Sequence, residues 1–358
     1  MELALYCPVF GYYEAEGDKI GRRGDYYTSV STGRLFGQLL ACQFAEWLSE
    51  GRPQIIEAGA HRAELARDIL LWLRDNRPPL FQALTYIIIE PSERRRAWQQ
   101  TTLANLDAKV AWAETVEAAF TREQASGSVS SVRSPREVIF SNELLDAMPV
   151  HRLGWNSEER AWFEWGVGWQ GGRFVWERIP KPPSEIARLL QASGYDSSLC
   201  GPGALTEVLP DGFIIEVCPR AVHWWRQAAQ ALRTGKLLTI DYGLTTEEFL
   251  IPERAQGTLR AYQQHSVSIE LLANVGRQDL TAQVNFSALE EAGKAAGLKT
   301  DSFVTQTQFL TRIAARTWSE ELPFPKWTAE QKRQFQTLTH PEHLGRAFRV
   351  LVQSRAGQ

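Results

Sequence analysis

The sequence predicts an α/β fold, a mostly parallel seven-stranded sheet wound by helices on both faces and carrying a β-rich insertion. Three observations support it. Short, wholly apolar runs of strand length recur along the chain, as central parallel strands require. Helical stripes separate them, giving the strand–helix alternation of a doubly wound sheet. Between residues 151 and 212 that alternation yields to a Trp- and Gly-rich stretch with period-two patterning, the mark of antiparallel strands.

The elements follow in order. Residues 33–50 read as a helix, because Leu35, Leu39, Leu40, Phe44 and Leu48 recur at steps of three and four and Gly51 stops the run. QIIEAG at 54–59 is a buried strand, and Leu65, Ile69, Leu70 and Leu73 stripe a helix over 62–74. ALTYIIIE at 83–90 is the second strand, leading through Glu90-Pro91-Ser92 into a polar helix. KVAWAE at 109–114 is the third, SGSVSSVRSP at 126–135 an exposed loop, and 136–142 the fourth strand. Inside the insertion, Gly171-Gly172 between alternating runs predicts a hairpin. The core is expected to resume with GFIIEVC at 212–218, a helix over 219–233 and KLLTIDYG at 236–243, and to end on an antiparallel strand at 347–354. The domain expectation is an N-terminal cap over 1–52, a core of 53–150 and 212–358, and an inserted substrate or lid element at 151–211.

Composition narrows the function classes. Hydrophobic residues are 44% and charged residues 23% of 358, an ordinary globular balance. A net charge of −3 offers no basic field for a phosphate backbone, so nucleic acid is not expected as a partner. The thirteen tryptophans are read as core and lid packing. Cys7, Cys42, Cys200 and Cys218 lie far apart, which argues against a zinc site and, with the chain's size, fits a reducing compartment. HPEH at 340–343 reads as a proline-initiated helix start, so no metal is expected. With no apolar run of membrane-spanning length and no leader pattern, the expectation is a cytoplasmic protein without membrane insertion.

The polar strand ends carry the chemistry. The first strand ends at Glu57 and turns through Gly59 into a helix, whose free N–H groups and open backbone suit a ligand. The second ends at Glu90, placed to accept hydrogen bonds from ribose hydroxyls. Each signal alone fits an ordinary turn or a solvated acid, but their order and spacing fit an adenosine-containing ligand. The fourth strand ends in Ser141-Asn142-Glu143. Glu143 and Asp146 stand three apart, so a helical turn would set both carboxylates on one face. Such a pair could clamp a guanidinium. The same spacing fits a helix start whose acids complement the dipole.

Longer strings carry a resemblance. They are GYY at 11–13, RRGDYYTS at 22–29, LFGQLLA at 35–41, EAG at 57–59, IIIEPSERRRAWQ at 87–99 and SNELLDAMPVHRL at 141–153. LLTIDYG at 237–243, GTLRAYQQHSV at 257–267 and GRQDLTAQVNFSAL at 276–289 complete the set, in order, over nearly the whole chain. On these strings the chain resembles the MidA-like family of methyltransferases, whose mitochondrial members help assemble respiratory complex I by methylating an arginine of a core subunit. The resemblance implies a Rossmann-like class I methyltransferase, S-adenosyl-L-methionine as cofactor and a protein substrate, with a homodimer left open. It places Glu57 and Gly59 beside the methionine part of the cofactor and Glu90 at its ribose. Tyr26 and Thr28, with Asp25 and Ser29, would belong to a loop over the cleft. Asn142, Glu143, Asp146 and Pro149 would wall methyl donor from substrate. His151 is a candidate proton acceptor, though a packed histidine fits as well. Arg260, Tyr262, Asp279 and Thr281 are motif positions that bracing would explain equally.

One departure bears on catalysis. Where the family's loop resembles E-L-G-P-G-R-G-T-L, this chain has Glu57-Ala58-Gly59-Ala60-His61-Arg62-Ala63-Glu64-Leu65. His61 and Ala63 replace two glycines, and a positive φ there would cost about 1 kcal/mol or more for a residue with a β-carbon. Gln283 replaces a common histidine. The expected function is therefore a methyltransferase acting on a protein arginine, with a catalytically silent binding or assembly factor as the alternative.

Overall fold

A computed structural model describes residues 1–14, 28–49, 51–125, 135–195, 199, 208–263, 266–319 and 324–357. The Ser-rich stretch expected to be a loop lies almost wholly outside the described residues. The chain forms two compact units, one of Tyr27–Leu144, Gln227–Asp241 and Gly293–Gln358, the other of Met1–Tyr26, Leu145–Arg226 and Tyr242–Ala292.

The first unit is built on the sheet the apolar runs predict. β1 (Arg52–Ala58), β2 (Thr85–Ile89), β3 (Lys109–Ala113) and β4 (Pro135–Asn142) are joined by β9 (Gly235–Leu244), β14 (Lys299–Thr305) and β15 (Phe348–Arg355). The order is β14-β15-β9-β4-β1-β2-β3. Pairing is parallel from β9 to β3 and antiparallel between β14 and β15. The chain leaves β1 toward β2 on one side and returns to β4 on the other, so the order reverses at β1 and β4. Ligands of open α/β sheets bind at such a reversal. Helix Leu35–Trp47 is buried along nearly its whole length through Leu35, Phe36, Leu39, Leu40 and Phe44. Helix Glu64–Asn76 buries the predicted stripe, Leu65, Ile69, Leu70 and Leu73. The HPEH run forms a helical turn, Pro341–Gly345, with Pro341 at its start, as expected.

In the second unit, β7 (Arg173–Ile179), β6 (Ala161–Gln170), β5 (His151–Asn156) and β8 (Ile214–Val217) form an antiparallel sheet in that order. The predicted hairpin is there: Gln170 pairs with Arg173 around Gly171-Gly172. β11 (Ser266–Ser268), β10 (Arg260–Gln263) and β12 (Asp279–Thr281) form a smaller sheet. β13 (Val284–Asn285) pairs in parallel with Gly243 and Leu244 at the end of β9. One core gathers Leu153, Trp155, Trp162, Tyr195, Phe213 and Ile215. Another packs Leu5 and Tyr12 with Leu259, Ala261 and Leu280.

One expectation is corrected. The run at 212–218 is not a strand of the main sheet; β8 pairs antiparallel with β5, His151 opposite Val217. The seventh main-sheet strand is KTDSFVT, Lys299–Thr305. A four-residue apolar run cannot signal which sheet it joins, and an edge strand with mixed burial lacks the apolar signature of a central one.

Candidate active site

Register assembles the site in the first unit. Ala58 lies opposite Ser141 on β4 and Ile89 on β2, so Gly59, Glu90 and Asn142 all follow at the same carboxyl edge. Glu57 points into the core. It is 2% exposed, and Tyr86 donates a 2.6 Å hydrogen bond to its Oε2. Burial pushes its carboxyl up to about 7, against a smaller opposing pull from the Tyr86 hydroxyl.

The loop after β1 keeps a glycine-type backbone. Gly59 has φ 79°, His61 45° and Ala63 60°, although only the first is glycine. At Gly59 the requirement is also steric, since a β-carbon would come within 3.0 Å of Leu144. Two non-glycine residues in the left-handed region cost about 1–2 kcal/mol each, so surrounding bonds must hold them. Ala63 is fully buried and its N–H donates to Ala60 O at 2.6 Å. The carbonyl of His61 accepts from Gln99 Nε2 at 3.0 Å, and its ring meets Trp98 edge-on with centroids 6.5 Å apart.

Gln99, completely buried on helix Glu93–Leu103, ties the site together. Its Nε2 also donates to Glu90 Oε2 at 3.1 Å, and its Oε1 accepts from Trp112 Nε1 at 2.9 Å. Glu90 Oε1 accepts from the Ser92 N–H at 3.0 Å and from Arg95 Nε at 2.9 Å. About four lone-pair directions exist on a carboxylate, so these three bonds leave room for one further donor rather than the two expected from a ribose. Nothing in the sequence pattern marks Gln99, although it ends the string IIIEPSERRRAWQ.

At the end of β4, Asn142 Nδ2 donates to Glu143 Oε1 at 3.1 Å, and the Ser29 N–H donates to the same oxygen at 3.0 Å. Asn142 Oδ1 is buried without a hydrogen-bond partner. Glu143 has φ 51°, and the Leu144 N–H is fixed by Asp241 Oδ2 at 3.2 Å. The helical turn expected to align Glu143 with Asp146 does not form; the chain runs through irregular turns, with Met148 N–H on Leu145 O at 3.2 Å. Left-handed φ at Glu143 breaks any helix there. Thr28 is buried in a local turn, its Oγ1 accepting from the Ser31 N–H at 3.0 Å. Tyr26 and Asp25 lie outside the described residues.

Asp146 and His151 belong to the second unit. Asp146 is 5% exposed and its carbonyl accepts from the Ala282 N–H at 2.9 Å. His151 Nδ1 lies 2.7 Å from Glu164 Oε1, and Lys181 Nζ is 2.5 Å from the other oxygen. Burial would raise the Glu164 carboxyl, but hydrogen bonds from Lys181 and His151 outweigh it and hold the group below its ordinary value. Among the motif positions of uncertain role, Asp279 Oδ1 accepts from Tyr13 OH at 2.7 Å, a brace between GYY and QDLTAQVNF.

A sheet of this order with its antiparallel terminal pair, and a left-handed turn after the strand at the reversal, define the class: a Rossmann-like methyltransferase fold. A family profile described as "Putative S-adenosyl-L-methionine-dependent methyltransferase" matches residues 39–304. The chain belongs to this family of S-adenosyl-L-methionine-dependent methyltransferases. A crystal structure of a Burkholderia thailandensis protein bound to S-adenosyl-homocysteine superposes with a TM-score of 0.78 at 29% identity, covering 99% of this chain and 86% of that one. The Drosophila melanogaster "Protein arginine methyltransferase NDUFAF7 homolog, mitochondrial" is 26% identical over 98% of this chain and 79% of its own length. The mouse protein arginine methyltransferase NDUFAF7 is 27% identical over 97% and 78%. The cytoplasmic expectation is corrected by these relatives, which are mitochondrial proteins. No helix among the described residues is long and apolar enough to cross a membrane.

Proposed function

We propose that the chain transfers a methyl group from S-adenosyl-L-methionine to a guanidinium nitrogen of an arginine in a protein substrate. The observation that carries the reading is the loop backbone: Gly59, His61 and Ala63 all hold positive φ. His61 and Ala63 thus hold the left-handed backbone that glycine favours. The orphaned Asn142 Oδ1 fits the same ligand, because a buried acceptor calls for a donor and an amino-acid ammonium supplies one. The printed names of the relatives support arginine as acceptor.

In this reading Gly59 borders the methionine part with Glu57 buried behind it, Glu90 takes one ribose hydroxyl, and Thr28 flanks the ligand. Asn142 and Glu143, both in the first unit, stand between cofactor and acceptor. The bound cofactor supplies an electrophilic sulfonium methyl. The chain's own groups position and stabilise charge. Glu143 is held in one orientation by Ser29 and Asn142, which suits it to grip a guanidinium through charge-assisted bonds. Fixing positive charge on one side of that group leaves the electrons of another nitrogen better localised for attack. Arginine's high pKa lets the proton leave late.

Calorimetric titration of the full chain with S-adenosylmethionine and S-adenosylhomocysteine tests the reading. Both should bind, and Glu143→Ala should abolish transfer to arginine-containing protein while sparing cofactor affinity. A wild type that binds neither ligand at millimolar concentration would sink the proposal and favour the silent assembly factor.

A further inference from the structure

One buried amide joins four successive segments of the first unit. Gln99, on helix Glu93–Leu103, reaches Glu90 at the end of β2, His61 in the loop after β1 and Trp112 on β3. The chemistry of its neighbours leaves the amide one orientation. Nε2 faces the His61 carbonyl at 3.0 Å and Glu90 Oε2 at 3.1 Å, both acceptors. Oε1 faces Trp112 Nε1 at 2.9 Å, and an indole nitrogen can only donate. Turned over, the amide would set its oxygen against two acceptors and its N–H groups against a donor. The indole therefore decides which way Gln99 points.

The two oxygens of Glu90 are held differently. Oε1 accepts from the Ser92 N–H at 3.0 Å and from Arg95 Nε at 2.9 Å, bonds made within the start of the helix that follows. Oε2 has Gln99 as its one partner among the described residues. A carboxylate pinned at one oxygen can still turn about that point. The contact at the other oxygen sets its plane, and with it the direction of the lone pair left for a ligand hydroxyl. Glu90 is 3% exposed, so little water is at hand to replace a lost bond. The same Nε2 reaches the carbonyl of His61, whose φ of 45° is costly for a residue with a β-carbon.

We infer that Gln99 is a positioning residue for the cofactor: it sets the Glu90 carboxylate for a ribose hydroxyl and holds the left-handed loop after β1, with Trp112 fixing its own orientation. Only an amide meets both demands, donors on one side and an acceptor on the other. A carboxylate of the same shape would face two acceptors, and an apolar side chain of the same length would bond to neither. The inference rests on the reading of Glu90 as the ribose acid and names what holds that acid in place.

The test is calorimetric titration of the full chain with S-adenosylhomocysteine. Gln99→Met should weaken the ligand about ten-fold, the scale of a lost hydrogen bond to a charged group. In a Glu90→Gln background the same change should cost markedly less, because the group it positions is already altered. Gln99→Glu supplies a readout that packing alone would not move. Burial beside a second acid raises the pKa of the introduced carboxyl, and once protonated it donates again. Its affinity should therefore recover between about pH 8 and about pH 5.5, while that of Gln99→Met stays flat. Each value is taken as a ratio to wild type at the same pH, which removes the titration of Glu90, Arg95 and His61. Should Gln99→Met melt too low to titrate, Trp112→Phe removes only the orienting donor and should weaken the ligand by a smaller factor. Unchanged affinity in the Gln99 and Trp112 variants, with Glu90→Gln weakened, overturns the inference and leaves the ribose reading standing. Equal losses with and without Glu90→Gln, or a Gln99→Glu ratio that ignores pH, reduce Gln99 to packing. Unchanged affinity in Glu90→Gln removes the ribose reading, and the inference with it.

Discussion

Glu57 should make the protein less stable above neutral pH, and a single substitution isolates the effect. Its side chain is 2% exposed and rests on the Tyr86 hydroxyl at 2.6 Å. Burial raises its carboxyl from 4.5 to about 7. The folded state therefore keeps a proton that the unfolded chain releases. The contribution is complete below about pH 4.5 and is lost as pH rises to about 7. A difference of about 2.5 in pKa, at ~1.36 kcal/mol each, amounts to roughly 3 kcal/mol. Glu57→Gln keeps an acceptor for Tyr86 and cannot ionise. Denaturant unfolding of both proteins from pH 4 to 8.5 should give a stability difference near zero at the acid end. It should grow in the variant's favour to roughly 3 kcal/mol above pH 7. A difference that does not change with pH, or a wild type that is the more stable at pH 8, refutes the argument.

Two further outcomes follow from the backbone and one from the ribose acid. His61→Gly with Ala63→Gly should raise S-adenosylmethionine affinity several-fold without lowering Tm, because strain relief of about 1 kcal/mol per residue offsets the added chain entropy of 0.4–1 kcal/mol, approximately; a clear fall in Tm would mean the left-handed path is unstrained. Gly257→Ala should lower Tm by the equivalent of about 1 kcal/mol or more, since it meets both positive φ and the fixed Glu216 carboxylate; an unchanged melting curve contradicts that packing. Glu90→Gln should weaken S-adenosylhomocysteine by roughly 1–3 kcal/mol by calorimetry, and unchanged affinity would place the ribose elsewhere.

Much of the site was legible because its positions are set by strand ends. The apolar runs QIIEAG, ALTYIIIE and VIFSN are strongly patterned, so the sequence places Gly59, Glu90 and Asn142 at one sheet edge, whereas Glu57, inside β1, turns into the core. Less local features were not. The string EVC at 216–218 looked like a core strand, and only pairing with β5 assigns it to the second unit. Glu143 and Asp146 had helical spacing, yet φ 51° at Glu143 ends that reading, since spacing cannot report the sign of a dihedral.

Sequence by itself determined the doubly wound class, the edge residues and the departure from glycine at 61 and 63, all matters of periodicity and residue type over short spans. Tertiary structure decided what those residues do. It showed that His61 and Ala63 accept the left-handed path, with Gln99 holding the carbonyl of His61 from 38 positions away. It also set Trp112 against the Gln99 amide, so that Nε2 meets both His61 and Glu90. Backbone compatibility and polar satisfaction depend on neighbours distant in sequence, so no local pattern encodes them.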